Sequence, residues 1–195
     1  MDPAQVWDAE AERFDDQPDH GLKDPAVRAA WSHLLVPLLP RPSARVADLG
    51  CGTGSVSLLL AEEGHDVTGV DVSPAMVARA RDKLTAAGVE AEVVVGDVCA
   101  PGLEPGSFDV VMTRHVLWAL DDPDLAVARW VDLLAPGGRL LLVEGLWGTG
   151  AGMSASEVTA IVLRHRVEVE VIPLRDPQLW GGPIDDERYA VLSRS

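Results

Sequence analysis

An apolar strand runs directly into three alternating glycines in the stretch Val46-Ala47-Asp48-Leu49-Gly50-Cys51-Gly52-Thr53-Gly54, and a helical pattern begins at Ser55. Glycine permits positive φ angles and lets the backbone come into contact with a ligand. The N–H groups at the start of the following helix point into the same space. The stretch therefore predicts a strand, a nucleotide-binding turn and a helix, in that order.

The spacing of the glycines limits the kind of nucleotide. Dinucleotide-binding domains use G-x-G-x-x-G. Here Gly50, Gly52 and Gly54 are one residue closer together, and a carboxylate, Asp48, precedes them. The turn also lacks the G-K-[ST] sequence of a triphosphate-binding loop. A carboxylate at the end of a strand suits an amino group or hydroxyl groups, so the turn is predicted to bind neither a pyrophosphate nor a triphosphate.

Two further carboxylates are predicted at the ends of the next two strands. Asp71 ends the stretch 66–71, and at that place in a Rossmann-like sheet a carboxylate can accept hydrogen bonds from both ribose hydroxyls. Ser73-Pro74 is typical of an N-cap and a first helical position. A third strand at 92–95 leads into Gly96-Asp97-Val98, where a short polar side chain is placed to meet an adenine amino group.

In order and spacing, these motifs resemble the class I S-adenosylmethionine-dependent methyltransferases that act on small molecules. A fourth strand at 108–112 and a glycine turn into a fifth at 134–144 extend the resemblance over about residues 44–145. It implies a Rossmann-like α/β fold with a seven-stranded, mostly parallel sheet and an antiparallel last strand. Helices are expected on both faces, with two more N-terminal helices as a cap. An NAD enzyme or a structural Rossmann domain is the alternative.

The expected organisation is a single methyltransferase domain over residues 1–195. It comprises an N-terminal helical cap at 1–43 with helices at 3–14 and 25–39, a cofactor-binding core at 44–145, and a C-terminal substrate-side region at 146–195. The last region contains a helix and two strands, at 167–172 and 189–193. Trp7 and Phe14 are expected to share one face of the first helix.

The resemblance implies S-adenosylmethionine as the cofactor and S-adenosylhomocysteine as the product. The glycine loop would pass under the methionine part of the cofactor, Asp71 would hold the ribose, and Met76 would pack on the adenine. The predicted cofactor-binding residues are Asp48, Gly50, Cys51, Gly52, Gly54, Asp71, Val72, Met76, Gly96, Asp97, Val98 and Arg114.

Acceptor-side residues are expected after the fourth strand, because ligands gather outside the carboxyl ends of parallel strands. His115 is the candidate catalytic base, since an imidazole can take a proton from a nucleophile near neutral pH, and lining the pocket is its alternative role. Glu144, at the end of the fifth strand, is a second candidate base or a holder of a substrate amine. The residues expected to border the acceptor are His20, Trp118 and Trp147.

Charge and composition exclude several classes of partner. The chain has 16 Lys and Arg against 31 Asp and Glu, a net charge of −15, so long-range electrostatics would repel nucleic acid and anionic lipid surfaces. No apolar run approaches the roughly 18 residues of a membrane span, and the acidic start does not resemble a signal peptide, so a cytoplasmic location is expected. Cys51 and Cys99 lack further ligands at metal-site spacing, and no metal is predicted.

The predicted function is methyl transfer from S-adenosylmethionine to a small molecule. Two alternatives stay open: an RNA or protein methyltransferase, which the charge disfavours, and a protein that binds S-adenosylmethionine without catalysis. The sequence identifies neither the acceptor nor its reacting atom, and it leaves the oligomeric state open. Arg114 is expected either to bind a substrate carboxylate or to pair with one of the protein's own acids.

Overall fold

A seven-stranded sheet organises the computed structural model, which describes residues 2–40 and 43–194. The strands are β1 (Arg45–Leu49), β2 (Asp66–Asp71), β3 (Glu92–Val95), β4 (Phe108–Arg114), β5 (Leu134–Leu146), β6 (Glu170–Pro173) and β7 (Glu187–Arg194). Their order in space is β3-β2-β1-β4-β5-β7-β6. β1 to β5 run parallel, and β7 is antiparallel to both of its neighbours. The predicted fold class is confirmed.

The chain moves outward from β1 to β3 on one side and then returns to place β4 on the other side of β1. This reversal leaves a crevice at the carboxyl ends of β1 and β4, which is where open α/β sheets bind their ligands. The glycine stretch and the segment after β4 both begin at this crevice.

Helices lie on both faces of the sheet. They are α1 (Pro3–Glu10), α2 (Pro18–Gly21), α3 (Pro25–Leu35), α4 (Ser55–Glu62), α5 (Pro74–Ala87), α6 (Pro123–Asp132) and α7 (Ala155–Val162). Short 3-10 helices occupy Phe14–Asp16, Val36–Leu38, Leu117–Ala119 and Pro177–Trp180. In the part of the chain that the structure describes, no helix has the length and apolar character required to span a membrane.

Alternate residues of the central strands enter two separate cores. Val110 and Met112 of β4 pack in the same cluster as Trp31 and Leu35 of α3, which are fully buried. Val111, between them in sequence, packs in the other cluster with residues of α6 and α7. Successive side chains of a strand point to opposite faces, so this division follows from the period of two in β4.

The caps of the helices follow from local sequence. The hydroxyl of Ser73 accepts a hydrogen bond from the N–H of Met76 at 3.0 Å, and Pro74 occupies the first turn of α5, as predicted. Asp24 and Asp122 cap α3 and α6 in the same way, each followed by proline.

The N-terminal cap differs from the prediction. The helix expected at 3–14 ends at Glu10, Phe14 begins a 3-10 helix, and α2 follows as a third short helix before β1. Pro18 has no N–H to continue a helix from the preceding turn, which favours a new start there. Trp7 and Phe14 therefore do not share a helical face, although their rings still meet edge to face with centroids 6.4 Å apart.

Other helix and strand boundaries also differ from the predicted ones. The helix expected at 25–39 ends at Leu35 and continues as the 3-10 helix at 36–38, because Pro37 cannot donate the next helical hydrogen bond. At the C-terminal end, β6 begins at Glu170 rather than at 167, and β7 is longer than the expected 189–193.

Gly54 offers a test of how α4 and α5 pack. It has φ +74°, and a Cβ added there would lie 2.8 Å from the Cβ of Ala80 on α5. We expect Gly54→Ala to lower the free energy of unfolding by about 2–4 kcal/mol, combining left-handed strain with overpacking. The measurement is urea unfolding of the purified variant. Gly182→Ala is the matched control, since no atom lies within 4 Å of its added Cβ, and equal effects at both positions would contradict this packing.

Candidate cofactor and acceptor site

A cavity of about 890 Å³ opens at the reversal point of the sheet. Its walls come from the glycine loop, the ends of β2 and β4, the N-terminal segment, and the segment after β5. This volume lies in the range of pockets that enclose a cofactor or a small molecule. The cavity therefore joins the two regions that the sequence predicts for cofactor and acceptor.

The glycine loop is held tightly against β2. The N–H groups of Gly50 and Cys51 both donate to the carbonyl of Val70, at 2.7 and 3.1 Å. Gly50 and Gly52 have φ angles of +73° and +55°, which other residues rarely adopt. A Cβ added to Gly50 would lie 2.3 Å from Cγ2 of Val116, in the segment after β4. Both glycines line the cavity, and their backbone is exposed to a ligand there.

All three predicted carboxylates line this cavity. Asp48 is buried and accepts a hydrogen bond from the Ser57 hydroxyl at 2.5 Å, and burial raises its pKa to about 6. Asp71 accepts from the N–H groups of Gly52 at 2.8 Å and Ser73 at 2.9 Å, one on each oxygen. Burial also raises the pKa of Asp71. Each oxygen of Asp71 keeps a further lone pair for a hydroxyl of a ligand.

The remaining predicted cofactor residues divide into two groups. Those that line the cavity are Cys51, Val72, Met76, Asp97, Val98 and Arg114. Gly54 and Gly96 are outside the lining. Gly54 faces Ala80, and a Cβ on Gly96 would lie 3.0 Å from the Val70 side chain, so both glycines permit close packing. Burial raises the pKa of the Cys51 thiol well above its ordinary value, which leaves it protonated and unreactive.

These residues fit an adenosyl cofactor. Gly50 and Gly52 line the cavity with backbone alone, Asp71 presents two acceptor oxygens, and Met76 and Val98 supply an apolar surface suited to a purine ring. Among the described residues, no group of three or more metal-ligating side chains is present.

His115 occupies the acceptor side of the cavity in an unusual conformation. Its φ angle is +60°, and neither ring nitrogen has a hydrogen-bond partner among the described residues. The ring centroid lies 5.3 Å from that of Trp147 and 6.0 Å from that of Trp180. Burial, and then the positive charge of Arg114, hold the pKa of His115 well below its ordinary value. The imidazole is therefore neutral at pH 7, and both of its ring nitrogens are buried in this conformation.

Asp19 is a site residue that the sequence did not reveal. Its carboxylate lies 3.6 Å from Nε2 of His20 and 3.9 Å from Nε2 of His115, and it is 13% exposed. The ring of His20 stacks on Phe14 with centroids 4.4 Å apart. The N-terminal segment thus brings an acid and an imidazole to the predicted base. Asp19 lies in a polar stretch with no periodic pattern, so only the folded structure shows its position.

The two arginines near the acceptor side make contacts within the protein. Arg114 donates to the backbone carbonyl of Asp19, and its guanidinium lies 5.1 Å from the ring centroid of Trp31. The carboxylates of Asp19, Asp48 and Asp15 act on its charge. Arg188, a second residue that the sequence did not indicate, makes two hydrogen bonds to Asp186 at 2.8 and 3.0 Å. It lies over the ring of Trp180, 4.6 Å from its centroid.

Trp118, Trp147 and His20, which the sequence predicts as acceptor-side residues, line the cavity, and their contact with an acceptor stays a prediction. Trp118 and Trp147 are 5.3 Å apart at an interplanar angle of 69°. The indole N–H of Trp118 donates to the carbonyl of His115 at 3.0 Å, so its polar atom is satisfied and its ring remains available for contact. We call Trp118, Trp147 and His115 the aromatic wall.

Glu144 does not line the cavity. It is fully buried on β5, and its Oε1 accepts hydrogen bonds from the N–H groups of Val116 at 3.0 Å and Leu117 at 2.7 Å. Burial raises its pKa to about 7. The carboxyl lies behind the segment that carries His115, where it contacts backbone rather than the space for an acceptor.

Carboxylates fix the N-terminal segment over the crevice. Asp8 accepts hydrogen bonds from the Ser73 hydroxyl and the N–H of Ala75 at the start of α5. Asp15 accepts from the hydroxyl of Thr53 and forms an ion pair with Lys83 at 2.9 Å. Trp7 and Phe14 from this segment line the cavity. The segment therefore covers the site with an apolar inner surface.

The sheet order, the glycine loop and the carboxylates at the ends of β1 and β2 define a doubly wound domain that binds a nucleoside-type cofactor. A methyltransferase-domain family model matches residues 47–142. Together with the relatives below, this identifies the matched region as a class I S-adenosylmethionine-dependent methyltransferase domain, whose cofactor is S-adenosylmethionine.

Two similar proteins illustrate the relationship. Demethylmenaquinone methyltransferase of Thermus thermophilus is 36% identical over 117 residues, which cover 58% of this chain and 53% of that protein. Ubiquinone biosynthesis O-methyltransferase of Xanthomonas euvesicatoria is 35% identical over 137 residues, covering 70% and 54%. The chain thus spans about half the length of these curated relatives.

Among solved structures, an S-adenosylmethionine-dependent methyltransferase from Aquifex aeolicus has the same fold, with a TM-score of 0.76 at 18% identity. The match covers 96% of this chain and 97% of that one.

Glu144 predicts a pH-dependent stability difference. Its folded pKa of about 7 exceeds its ordinary value of 4.5, so its stabilising contribution is present below about pH 4.5 and is lost as the pH rises through 7. As the pH rises from 5 to 8, we expect the free energy of unfolding of Glu144→Gln to increase by about 2–3 kcal/mol relative to that of the wild type. Urea unfolding at both pH values measures this. The shift at Asp48 acts in both proteins and cancels, and a pH-independent difference would contradict the assignment.

Proposed function

We propose that this chain transfers the methyl group of S-adenosylmethionine to a hydroxyl group of a small, uncharged, aromatic acceptor. The observation that carries the proposal is that one cavity contains both the glycine loop with Asp71 and the aromatic wall with His115. A shared enclosure can hold the two reactants in line, and such positioning accounts for roughly 7–11 kcal/mol of a reaction barrier.

The cofactor end of this cavity has a distinct set of roles. Asp71 would accept hydrogen bonds from the ribose hydroxyls, and its place at the end of β2 supports this. Gly50 and Gly52 would let the backbone approach the methionine part, while Met76 and Val98 would contact the adenine. Asp97, exposed just after β3, accepts a hydrogen bond from the Cys99 N–H and lines the cavity, and it would meet the adenine amino group.

The charges around the acceptor end favour an uncharged molecule. Arg188 is paired with Asp186, and the carboxylates of Asp19, Asp48 and Asp15 offset the charge of Arg114, so the described lining offers little net positive charge to an anionic substrate. The acids in the lining, Asp121 and Asp122 among them, would repel a carboxylate or phosphate. The same argument disfavours nucleic acid. Two relatives are named for demethylmenaquinone and for ubiquinone biosynthesis, and a quinol-like ring suits the aromatic wall.

The place of His115 in the cavity lining supports a role in removing the proton of the acceptor hydroxyl. When bound, S-adenosylmethionine would supply an electrophilic methyl group, and its transfer to the acceptor oxygen would break the carbon–sulfur bond and leave S-adenosylhomocysteine. The hydroxyl proton would pass to a ring nitrogen of neutral His115, which is buried in this structure and would have to turn toward the bound acceptor. A base with the low pKa of His115 is sufficient to take this proton, because the acceptor oxygen becomes strongly acidic as it gains the methyl group. The carboxylate of Asp19, 3.9 Å away, would stabilise the imidazolium that forms.

Asp71 gives the test of cofactor binding. We expect Asp71→Asn to weaken the binding of S-adenosylhomocysteine by about 10- to 100-fold, since hydrogen bonds to a charged acceptor are among the stronger ones. Isothermal titration calorimetry measures the dissociation constant. Asp66→Asn, at the other end of the same strand, is the matched control and should bind as the wild type does. Equal affinity in all three proteins would refute the assigned role.

His115 gives the test of catalysis. Uncharged phenols, catechols and naphthohydroquinones are supplied with S-adenosylmethionine, and S-adenosylhomocysteine release is measured, with carboxylated analogues in parallel. We expect turnover of an uncharged acceptor, a loss of about 10²- to 10⁴-fold in His115→Ala, and unchanged cofactor affinity.

The control for that loss is His33→Ala, which removes an exposed imidazole on α3. His33 is distant from His115 in the sequence, and the variant should retain full turnover. A preference for the carboxylated analogues would contradict the proposed acceptor class. Full activity in His115→Ala would remove His115 from the proton transfer while leaving the acceptor class intact.

A further inference from the structure

The segment His115–Leu117, which we call the β4 turn, lies between the cofactor loop and the acceptor pocket. We propose that Glu144 is a positioning residue that holds the β4 turn and thereby aligns the acceptor wall with the cofactor loop. The catalytic part of this inference rests on the proposed function, whereas the structural part stands on the contacts alone.

The β4 turn is attached to β5 by three hydrogen bonds. The N–H of His115 donates to the carbonyl of Val143 at 2.8 Å, which continues the strand pairing by one residue. The next two N–H groups have no strand to pair with, and both donate to Oε1 of Glu144. A carboxyl oxygen thus replaces the missing part of the ladder. Without it, two amide groups beside a buried core would be left without partners, which is costly.

The conformation of the β4 turn needs this support. Of the described residues other than glycine, Leu22 and His115 have positive φ angles. A residue with a Cβ is strained in that region, and the strain persists only where the surrounding structure enforces it. The hydrogen bonds on both sides of the His115 φ angle supply the constraint, one from β5 backbone and two from the Glu144 carboxyl.

The β4 turn contacts both halves of the site. The side chain of Val116 occupies the space beside Gly50 that a Cβ would fill. The ring of His115 forms part of the aromatic wall, and its carbonyl accepts the Trp118 indole N–H. A shift of the turn would therefore move the proposed base and the support of the glycine loop together.

The environment of Glu144 disfavours a role as a base. Its exposed fraction is 0%, it is outside the cavity lining, and Oε1 is occupied by two amides. Its Oε2 is also buried and has no hydrogen-bond partner among the described residues. A neutral amide oxygen can accept the same two hydrogen bonds, and Glu144→Gln therefore separates positioning from proton transfer.

Hydrogen exchange of the intact protein is the direct test. In Glu144→Ala we expect the amides of Val116 and Leu117 to exchange at least about tenfold faster than in the wild type, and in Glu144→Gln to exchange close to the wild-type rate. Leu142→Ala is the matched control. It removes a buried β5 side chain two residues away and should accelerate exchange broadly, without singling out the β4 turn. Unchanged exchange of these amides in Glu144→Ala overturns the proposal.

Kinetics then separate the roles. These kinetics use an acceptor that the wild type methylates. Glu144→Ala should lower kcat by about 10²-fold, because the reacting groups are misplaced, with a smaller change in KM for the acceptor. Glu144→Gln should restore kcat. If Glu144→Gln is as inactive as Glu144→Ala although its β4 turn is protected, Glu144 acts in proton transfer and the proposal is wrong. If the wild type methylates no acceptor, the proposed function fails, while the exchange data still decide whether Glu144 holds the turn.

Discussion

The contact between Gly50 and Val116 is the constraint on which the site depends. A Cβ at Gly50 would lie 2.3 Å from the Val116 side chain. The loop after β1 and the turn after β4 therefore approach each other only because residue 50 is glycine. This approach closes the crevice between two neighbouring parallel strands at its base. The cofactor loop on one side and the aromatic wall on the other take their positions from that contact and from the carboxyl of Glu144 behind it.

Buried carboxyl groups shape the electrostatics of the site. Asp48, Asp71 and Glu144 are all buried, and burial raises the pKa of each. Hydrogen bonds from the protein partly offset this cost, from a hydroxyl to Asp48 and from backbone amides to the other two. Since Arg188 is paired with Asp186 and several carboxylates lie near Arg114, little uncompensated positive charge remains for an anionic ligand.

The parts of the site that the sequence predicted are those set by short-range rules. Glycine spacing, strand ends and the Ser73 cap act within a few residues, and Asp71 and Met76 line the cavity, while their contacts with a cofactor stay a prediction. The sequence did not indicate Asp19 and Arg188. Their positions at the site depend on the course of whole chain segments through the fold, which no local pattern encodes. The helix expected at 3–14 was wrong beyond Glu10, since periodic apolar residues do not show where a chain leaves the helix.

The aromatic content of the cavity has a consequence for observing the protein. Of six tryptophans, Trp7, Trp118 and Trp147 line the cavity, each from a different segment of the chain. Indole emission responds to polarity and to neighbouring rings, so a bound ligand alters the environment of three fluorophores at once while Trp31 and Trp130 stay in the core. The native chain consequently carries its own optical reporter of occupancy, and ligand entry can be followed by intrinsic fluorescence without an attached label.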